Sequence, residues 1–210
     1  MDYLRQLINR YPVLVPLEGD VRAAYGLLEG AFSSGGKLLA AGNGGSSADA
    51  DHIVGELGKG FVKKRPALPD FQAALCALDS DTGALLAANL ECGLPALALH
   101  AHTALATATA NDRGAEFVYA QQVYCYGAAG DVFLGISTSG NARNVYLAAV
   151  TAKAVGMKII ALTGGTGGKL GKIADTAVIV PENETFKIQE LHLPVYHALC
   201  LALEERFFST

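Results

Sequence analysis

Short apolar runs alternate with helical stretches along this chain. Leu17, Val21, Tyr25, Leu28 and Phe32 recur at spacings of three and four, so residues 1–36 read as helical. A stripe this apolar packs either on the domain or on a second subunit. Gly35-Gly36 ends it, and 37–41 (KLLAA) is the first predicted strand, with a helix over 46–58 behind it. Residues 71–78 (FQAALCAL) read as a second strand, an apolar run without polar alternation. A helix is expected over 84–89, a break at Gly93-Leu94-Pro95, a short strand over 96–99 and an amphipathic helix over 114–126. Residues 131–136 (DVFLGI) read as a buried strand, 142–155 as a helix ended by Gly156, and 158–162 (KIIAL) as the next strand. A glycine-rich loop follows at 164–168, then a last strand at 176–180 stopped by Pro181, and a long final helix over 187–208. Strands alternating with helices predict a parallel sheet with right-handed crossovers. Runs without polar alternation fit strands covered on both faces. The expectation is one doubly wound α/β domain.

Composition narrows the function classes. The chain has 210 residues, 51% hydrophobic, 17% charged and 24 glycines, enough to bury a core. Net charge is −4 with no basic patch, which argues against a nucleic-acid partner. The Ala/Leu-rich stretch at 84–110 is interrupted by Glu91, Pro95, His100 and His102, against a membrane span. Residues 1–12 carry charges and no apolar segment of the signal-peptide kind. Cys76, Cys92, Cys125 and Cys200 form no CxxC pair, so buried thiols in a reducing cytoplasm are expected.

The candidate chemistry begins at Lys37–Glu56, KLLAAGNGGSSADADHIVGE. The turn Gly42-Asn43-Gly44-Gly45-Ser46-Ser47 lets the backbone approach a ligand, and the helix behind it offers free N–H groups to an anion. It matches neither the dinucleotide nor the nucleotide glycine motif. On that helix His52 and Glu56 stand four apart, on one face. A second polar turn, Ser137-Thr138-Ser139-Gly140-Asn141, also follows a strand and offers hydroxyls with little positive charge nearby, a neutral-donor phosphate site. Gln189, Glu190, His192 and His197 share the final helix. Gln189 and His197 lie roughly 80° apart around the axis at 3.6 residues per turn. Glu190 aligns with His197 better, so spacing does not select Gln189. His192 points elsewhere and reads as a packing or surface histidine.

The segments AGNGGSSADADHIVGELGKGF, ANDRGAEFVYAQQV, GDVFLGISTSGNARNV, GMKIIALTGGTGGKL and KIQELHLPVYHAL resemble the SIS (sugar isomerase) family, within it the phosphoheptose isomerase branch, over nearly the whole chain. The resemblance implies a flavodoxin-like five-stranded parallel sheet over 37–210 and an N-terminal helical extension over 1–36 used in assembly. It also implies a homotetramer with sites between subunits. The implied activity is aldose–ketose isomerisation of a sugar phosphate, foremost a heptose phosphate of the sedoheptulose 7-phosphate type. By resemblance, Asn43, Gly44, Gly45 and Ser46 form the first substrate turn, with Gln189 also reaching substrate. Asn111 and Asp112 contact the sugar, and Ser137, Thr138 and Ser139 hold the phosphate. Glu56 matches the base and His197 the acid. His52, Glu56, Gln189 and His197 match the ligands of a zinc site, one ion per subunit, and no nucleotide cofactor is implied. Such an isomerisation needs a base at carbon, a proton donor at oxygen and stabilisation of the oxyanion, which these residue types supply.

Three positions depart from the family pattern. Ala142 replaces a serine of the phosphate turn, Ser47 stands where heptose enzymes often carry histidine, and 79–103 reads as an insertion. The same branch also includes a non-catalytic tetrameric scaffold that binds the initiator protein DnaA, and NDRGAEFVYAQQV resembles it too. That scaffold lacks the glutamate and histidine that match Glu56 and His197, which favours the enzyme. A sugar-phosphate sensor is the third reading, but no DNA-binding segment is attached and the charge is acidic.

Overall fold

A computed structural model describes residues 1–208, so the last two positions of the predicted 37–210 unit lie outside the described residues. The chain opens with α1 (Tyr3–Arg10), whose first turn is capped by the Asp2 carboxylate accepting the Arg5 N–H at 2.9 Å. A 3-10 segment, Pro12–Leu17, leads into α2 (Glu18–Ser33). Val21, Ala24, Leu28, Ala31 and Phe32 of α2 are buried within this chain's own core. The stripe read between residues 17 and 32 is thus covered by its own domain.

Five strands follow: β1 (Leu38–Ala41), β2 (Ala96–Ala98), β3 (Val132–Ser137), β4 (Lys158–Gly164) and β5 (Thr176–Val180). Between them run α3 (Gly45–Gly58), α4 (Pro69–Leu78), α5 (Ser80–Asn89), α6 (Thr103–Asp112), α7 (Val118–Tyr126), α8 (Arg143–Val155) and α9 (Gly168–Ile173). The chain closes with α10 (Thr185–Phe208). All strand pairs are parallel, in the order β2-β1-β3-β4-β5. That is the doubly wound order whose switch point lies between β1 and β3. Alternate strand residues feed two cores. Leu38, Ala40, Leu134, Ile160 and Val178 pack under α1, α2, α3 and α10, while Leu39, Phe133, Ile159 and Ala161 pack under α7, α8 and α9.

Residues 71–78 correct the sequence reading: they are the body of α4, not a strand. Pro69 sits at the helix start with Asp70 in the first turn, and the segment has no β-branched residue to favour a strand. An apolar run without period was ambiguous, and alanine content with the N-terminal proline resolves it as helix. α4 and α5 form a hairpin in which Gly83 lies against the backbone of Leu75 and Cys76. Phe71, Leu78 and Leu85 are exposed on it, and no residue of α4 is buried.

One further expectation changes. The thiols are all free, but only Cys200 is buried; Cys76 and Cys125 are exposed and Cys92 is half-buried. Among the described residues no helix is long and apolar enough to cross a membrane.

Candidate active site

The first polar turn sits beyond the carboxyl end of β1. Gly44 has φ 55°, a conformation that favours glycine, and it delivers the chain into α3. A Cβ at Gly45 would meet the Gln189 amide of α10 at 2.6 Å, so that side chain lies close against the turn. Asn43 is fixed by a reciprocal amide pair: its Nδ2 donates to Asn144 Oδ1 and its Oδ1 accepts from Asn144 Nδ2, both at 2.9 Å. The Tyr119 hydroxyl donates to Gly42 O at 2.5 Å, and burial raises its pKa. Asn144 and Tyr119 were not found from the sequence; each acts through a partner distant along the chain.

The second turn lies beyond β3. Ser137 is buried and its Oγ accepts the Ala142 N–H at 3.4 Å, while Ser139 Oγ accepts the Asn141 N–H at 3.2 Å. Gly140 (φ 65°) packs directly on the backbone of Gly167 and Gly168. Thr138 and Ser139 open into a cavity with Gly165, Thr166, Asn183 and Thr185. No cation lines it, so its donors are hydroxyls, an amide and backbone N–H groups, with the start of α10 at its edge. The glycine-rich loop at 164–168 hinted at this wall; Asn183 and Thr185 carried no such signal.

The titratable group lies on two helices. α3 and α10 run side by side, so that Gly45 faces Gln189, His52 faces Tyr196 and His197, and the end of α3 faces Glu204. His52 Nε2 is 3.1 Å from Glu56 Oε1 and 3.3 Å from His197 Nε2. On its other side, His52 Nδ1 meets Tyr196 Oη at 3.1 Å, and the Tyr196 hydroxyl donates to Asp49 Oδ1 at 3.2 Å. That assigns the Nδ1–H tautomer to neutral His52 and turns the Nε2 lone pair toward Glu56 and His197. A lone pair facing a carboxylate is unfavourable unless a proton or a cation lies between them. Burial, and then the neighbouring His52, lower the pKa of His197, and Glu56 opposes them. Burial raises Asp49, while the Tyr196 hydrogen bond opposes it. His192 is a packing histidine: it is fully buried with its ring on Thr163 O at 3.2 Å, and burial lowers its pKa to about 4.

The donor types here suit zinc. The 3.1 and 3.3 Å separations are close to the edge of a tetrahedron with bonds of about 2.0–2.1 Å, roughly 3.3 Å. Among the described residues, however, no three His, Cys, Asp or Glu side chains form a ready metal cage; these three close on one another. Gln189 stands two turns of α10 away from His197, against Gly45.

The sites predicted from sequence therefore fall into three places. Asn43 to Ser46, Gln189 and Ser137 to Ser139 gather at the carboxyl end of the sheet. His52, Glu56 and His197 gather lower on the same face. Glu56 is eleven residues down α3 from Gly45, about 16 Å at 1.5 Å per residue. Asn111 and Asp112 end α6, exposed and bonded to one another at 2.9 Å, and hydrogen bonds link neither to the Glu56–His197 group.

Comparison with known proteins follows this geometry. Residues 81–164 match the SIS domain. A phosphoheptose isomerase of Citrifermentans bemidjiense is 38% identical over 207 residues, covering 97% of this chain and 94% of that protein. The chain belongs to the phosphoheptose isomerase family of SIS-domain proteins. The structure of phosphoheptose isomerase GmhA from Neisseria gonorrhoeae superposes with a TM-score of 0.73 at 33% identity, covering 96% of this chain and 91% of that one. A phosphoheptose isomerase from Francisella tularensis gives 0.77 at 30% identity, covering 97% and 95%. The family's five-stranded parallel sheet is thus the fold of this chain.

Proposed function

We propose that this chain is a heptose-phosphate aldose–ketose isomerase working through an enediol. The observation that carries the reading is the Glu56–His52–His197 group, in which His52 Nε2 lies 3.1 Å from the Glu56 carboxylate on α3 and 3.3 Å from the His197 imidazole on α10. Glu56 takes the proton from the carbon beside the carbonyl, and His197 gives one to the carbonyl oxygen. Reversal onto the neighbouring carbon completes the exchange of aldose for ketose. Thr138, Ser139, Thr166 and Thr185 hold the phosphoryl group through neutral donors, and Asn43 to Ser46 with Gln189 bind the adjoining hydroxyls. Zinc held by His52, Glu56 and His197 would supply Lewis-acid polarisation of the carbonyl, while Gln189, two turns of α10 away against Gly45, stands outside that set.

We further read the working form as a homotetramer. Support comes from the roughly 16 Å along α3 that separates Gly45, in the first polar turn, from the Glu56 group. A second copy can present its phosphate turns, or its Asn111 and Asp112, to this group. The exposed Phe71, Leu78 and Leu85 of the α4–α5 hairpin, inside and beside the 79–103 insertion, offer apolar surface for such contacts. The setting is cytoplasmic and the substrate a small sugar phosphate. The scaffold and sensor readings are not favoured, because Glu56 and His197 are both present and paired through His52. NMR detection of aldose–ketose conversion of sedoheptulose 7-phosphate tests the assignment: conversion supports it, and no turnover of any heptose phosphate refutes it.

A further inference from the structure

The strap between α3 and α4 is tied to α10 by a buried ion pair that touches both sides of the Glu56–His197 group without belonging to it. Arg65 and Glu204 are almost wholly buried, 1% and 0% exposed. Arg65 Nε donates to Glu204 Oε1 at 2.8 Å, and its two terminal nitrogens reach past that contact to the end of α3. Nη1 donates to Leu57 O at 2.9 Å and Nη2 to Glu56 O at 3.1 Å. The guanidinium therefore caps the last carbonyls of the helix that carries Glu56, one of them Glu56's own.

Glu204 works on the other side. Its carboxylate accepts the Phe61 N–H at 2.8 Å, the Val62 N–H at 3.0 Å and the Lys63 N–H at 3.2 Å. That gathers the strap so that the Phe61 ring lies edge-on to the His197 imidazole, centroids 5.4 Å apart and planes at 62°. Glu204 sits two turns beyond His197 on α10, and the Phe208 ring covers Arg65 at 4.5 Å. Burial raises the Glu204 pKa, but the Phe61 and Val62 N–H groups and Arg65 outweigh it and hold the group ionised.

A buried ion pair is a poor device for stability alone, because desolvation offsets most of its attraction and an apolar pair of equal volume does as well. It is a good device for geometry, since Arg65 offers a planar fork with fixed donor directions. Five of its contacts land on backbone groups that set where Glu56 and the neighbour of His197 stand. We infer that Arg65 and Glu204 are positioning residues, a brace that sets the Glu56 carboxylate against the His197 imidazole through the end of α3 and the Phe61 ring. The role in turnover rests on the isomerase reading above; the geometric role does not.

The test uses Arg65→Lys, which keeps the charge but cannot reach three acceptors, and Phe61→Leu, which leaves the brace intact and removes the ring. The chain has five histidines, so ¹³C-labelled imidazole signals report each ring separately. Arg65→Lys is expected to move the His52 and His197 signals while those of His100, His102 and His192 stay. kcat per folded molecule should fall about 10–100-fold, in line with the cost of small misplacements, while KM changes little. Phe61→Leu should move the His197 signal and lower kcat in the same sense. A lower melting temperature with unmoved His52 and His197 signals and unchanged kcat per folded molecule would overturn the brace. If Arg65→Lys does not fold, Phe61→Leu decides alone: an unmoved His197 signal sinks the inference. A wild type that isomerises no heptose phosphate removes the isomerase reading, and the imidazole signals still test the brace.

Discussion

Asn43 and Asn144 hold one another through two amide hydrogen bonds of 2.9 Å, across 101 residues of chain. The pair ties the turn after β1 to the start of α8, and so fixes the spacing of the two polar turns. Asn144→Ala leaves Asn43 with the Tyr119 hydroxyl, 3.3 Å from its Oδ1, and water as its partners. The cost should be about 1 kcal/mol at this partly exposed site, read as a several-fold rise in KM with kcat nearly unchanged. Steady-state kinetics on a heptose phosphate checks it; an unchanged KM would show that the turns hold their spacing without the pair.

Thr138 is the half-exposed hydroxyl at the mouth of the cavity proposed to take the phosphoryl group. Thr138→Val keeps the shape and removes one donor, so binding of inorganic phosphate or sugar phosphate should weaken by about 1–2 kcal/mol. Calorimetric titration measures this directly. Equal affinity in both proteins would place the phosphate elsewhere.

His192 gives a pH prediction with a definite sign. Its pKa is about 4 in the folded chain against 6.5 when free, so folding favours the neutral ring. That contribution is fully present above pH 6.5 and is lost as pH falls from 6.5 toward 4. At 1.36 kcal/mol per pKa unit the loss is on the order of 3 kcal/mol. Denaturant midpoints measured from pH 7 to 4 should fall for wild type and fall less steeply for His192→Gln. Parallel slopes would contradict the buried neutral histidine.

Light scattering at micromolar concentration should report four chains per particle. Leu78→Lys with Leu85→Lys puts charge on the exposed hairpin, and it should shift the particle to smaller species if α4–α5 meets a second copy. A tetramer unaffected by both changes would place the interface on another face.

The fold was legible where the chain is simplest. β3, β4 and β5 are uninterrupted apolar runs between turn residues, and the structure places them within a residue or two of where the pattern does. β2 is only three residues long but was marked by Pro95 before it. α4 was misread because an alanine- and leucine-rich segment has no period to distinguish helix from buried strand. For the site, His52 and Glu56 share a helix face and could be paired by counting. Their meeting with His197 needed the resemblance, since nothing local selects His197 over its helix neighbours. Asn144, Tyr196 and the Arg65–Glu204 pair were invisible for a plainer reason: each acts through a partner far along the chain, and no local pattern encodes that distance.

The central claim is that Glu56 moves a proton at the carbon beside the carbonyl. Glu56→Gln keeps the volume but removes the base, with little effect on folding. The decisive measurement is incorporation of solvent deuterium into sedoheptulose 7-phosphate, followed by NMR, for wild type and Glu56→Gln side by side. Wild type should exchange the proton and convert the sugar, and Glu56→Gln should be slower by roughly 10²–10⁴. Equal exchange rates in the two proteins, or no exchange in either, would contradict the account.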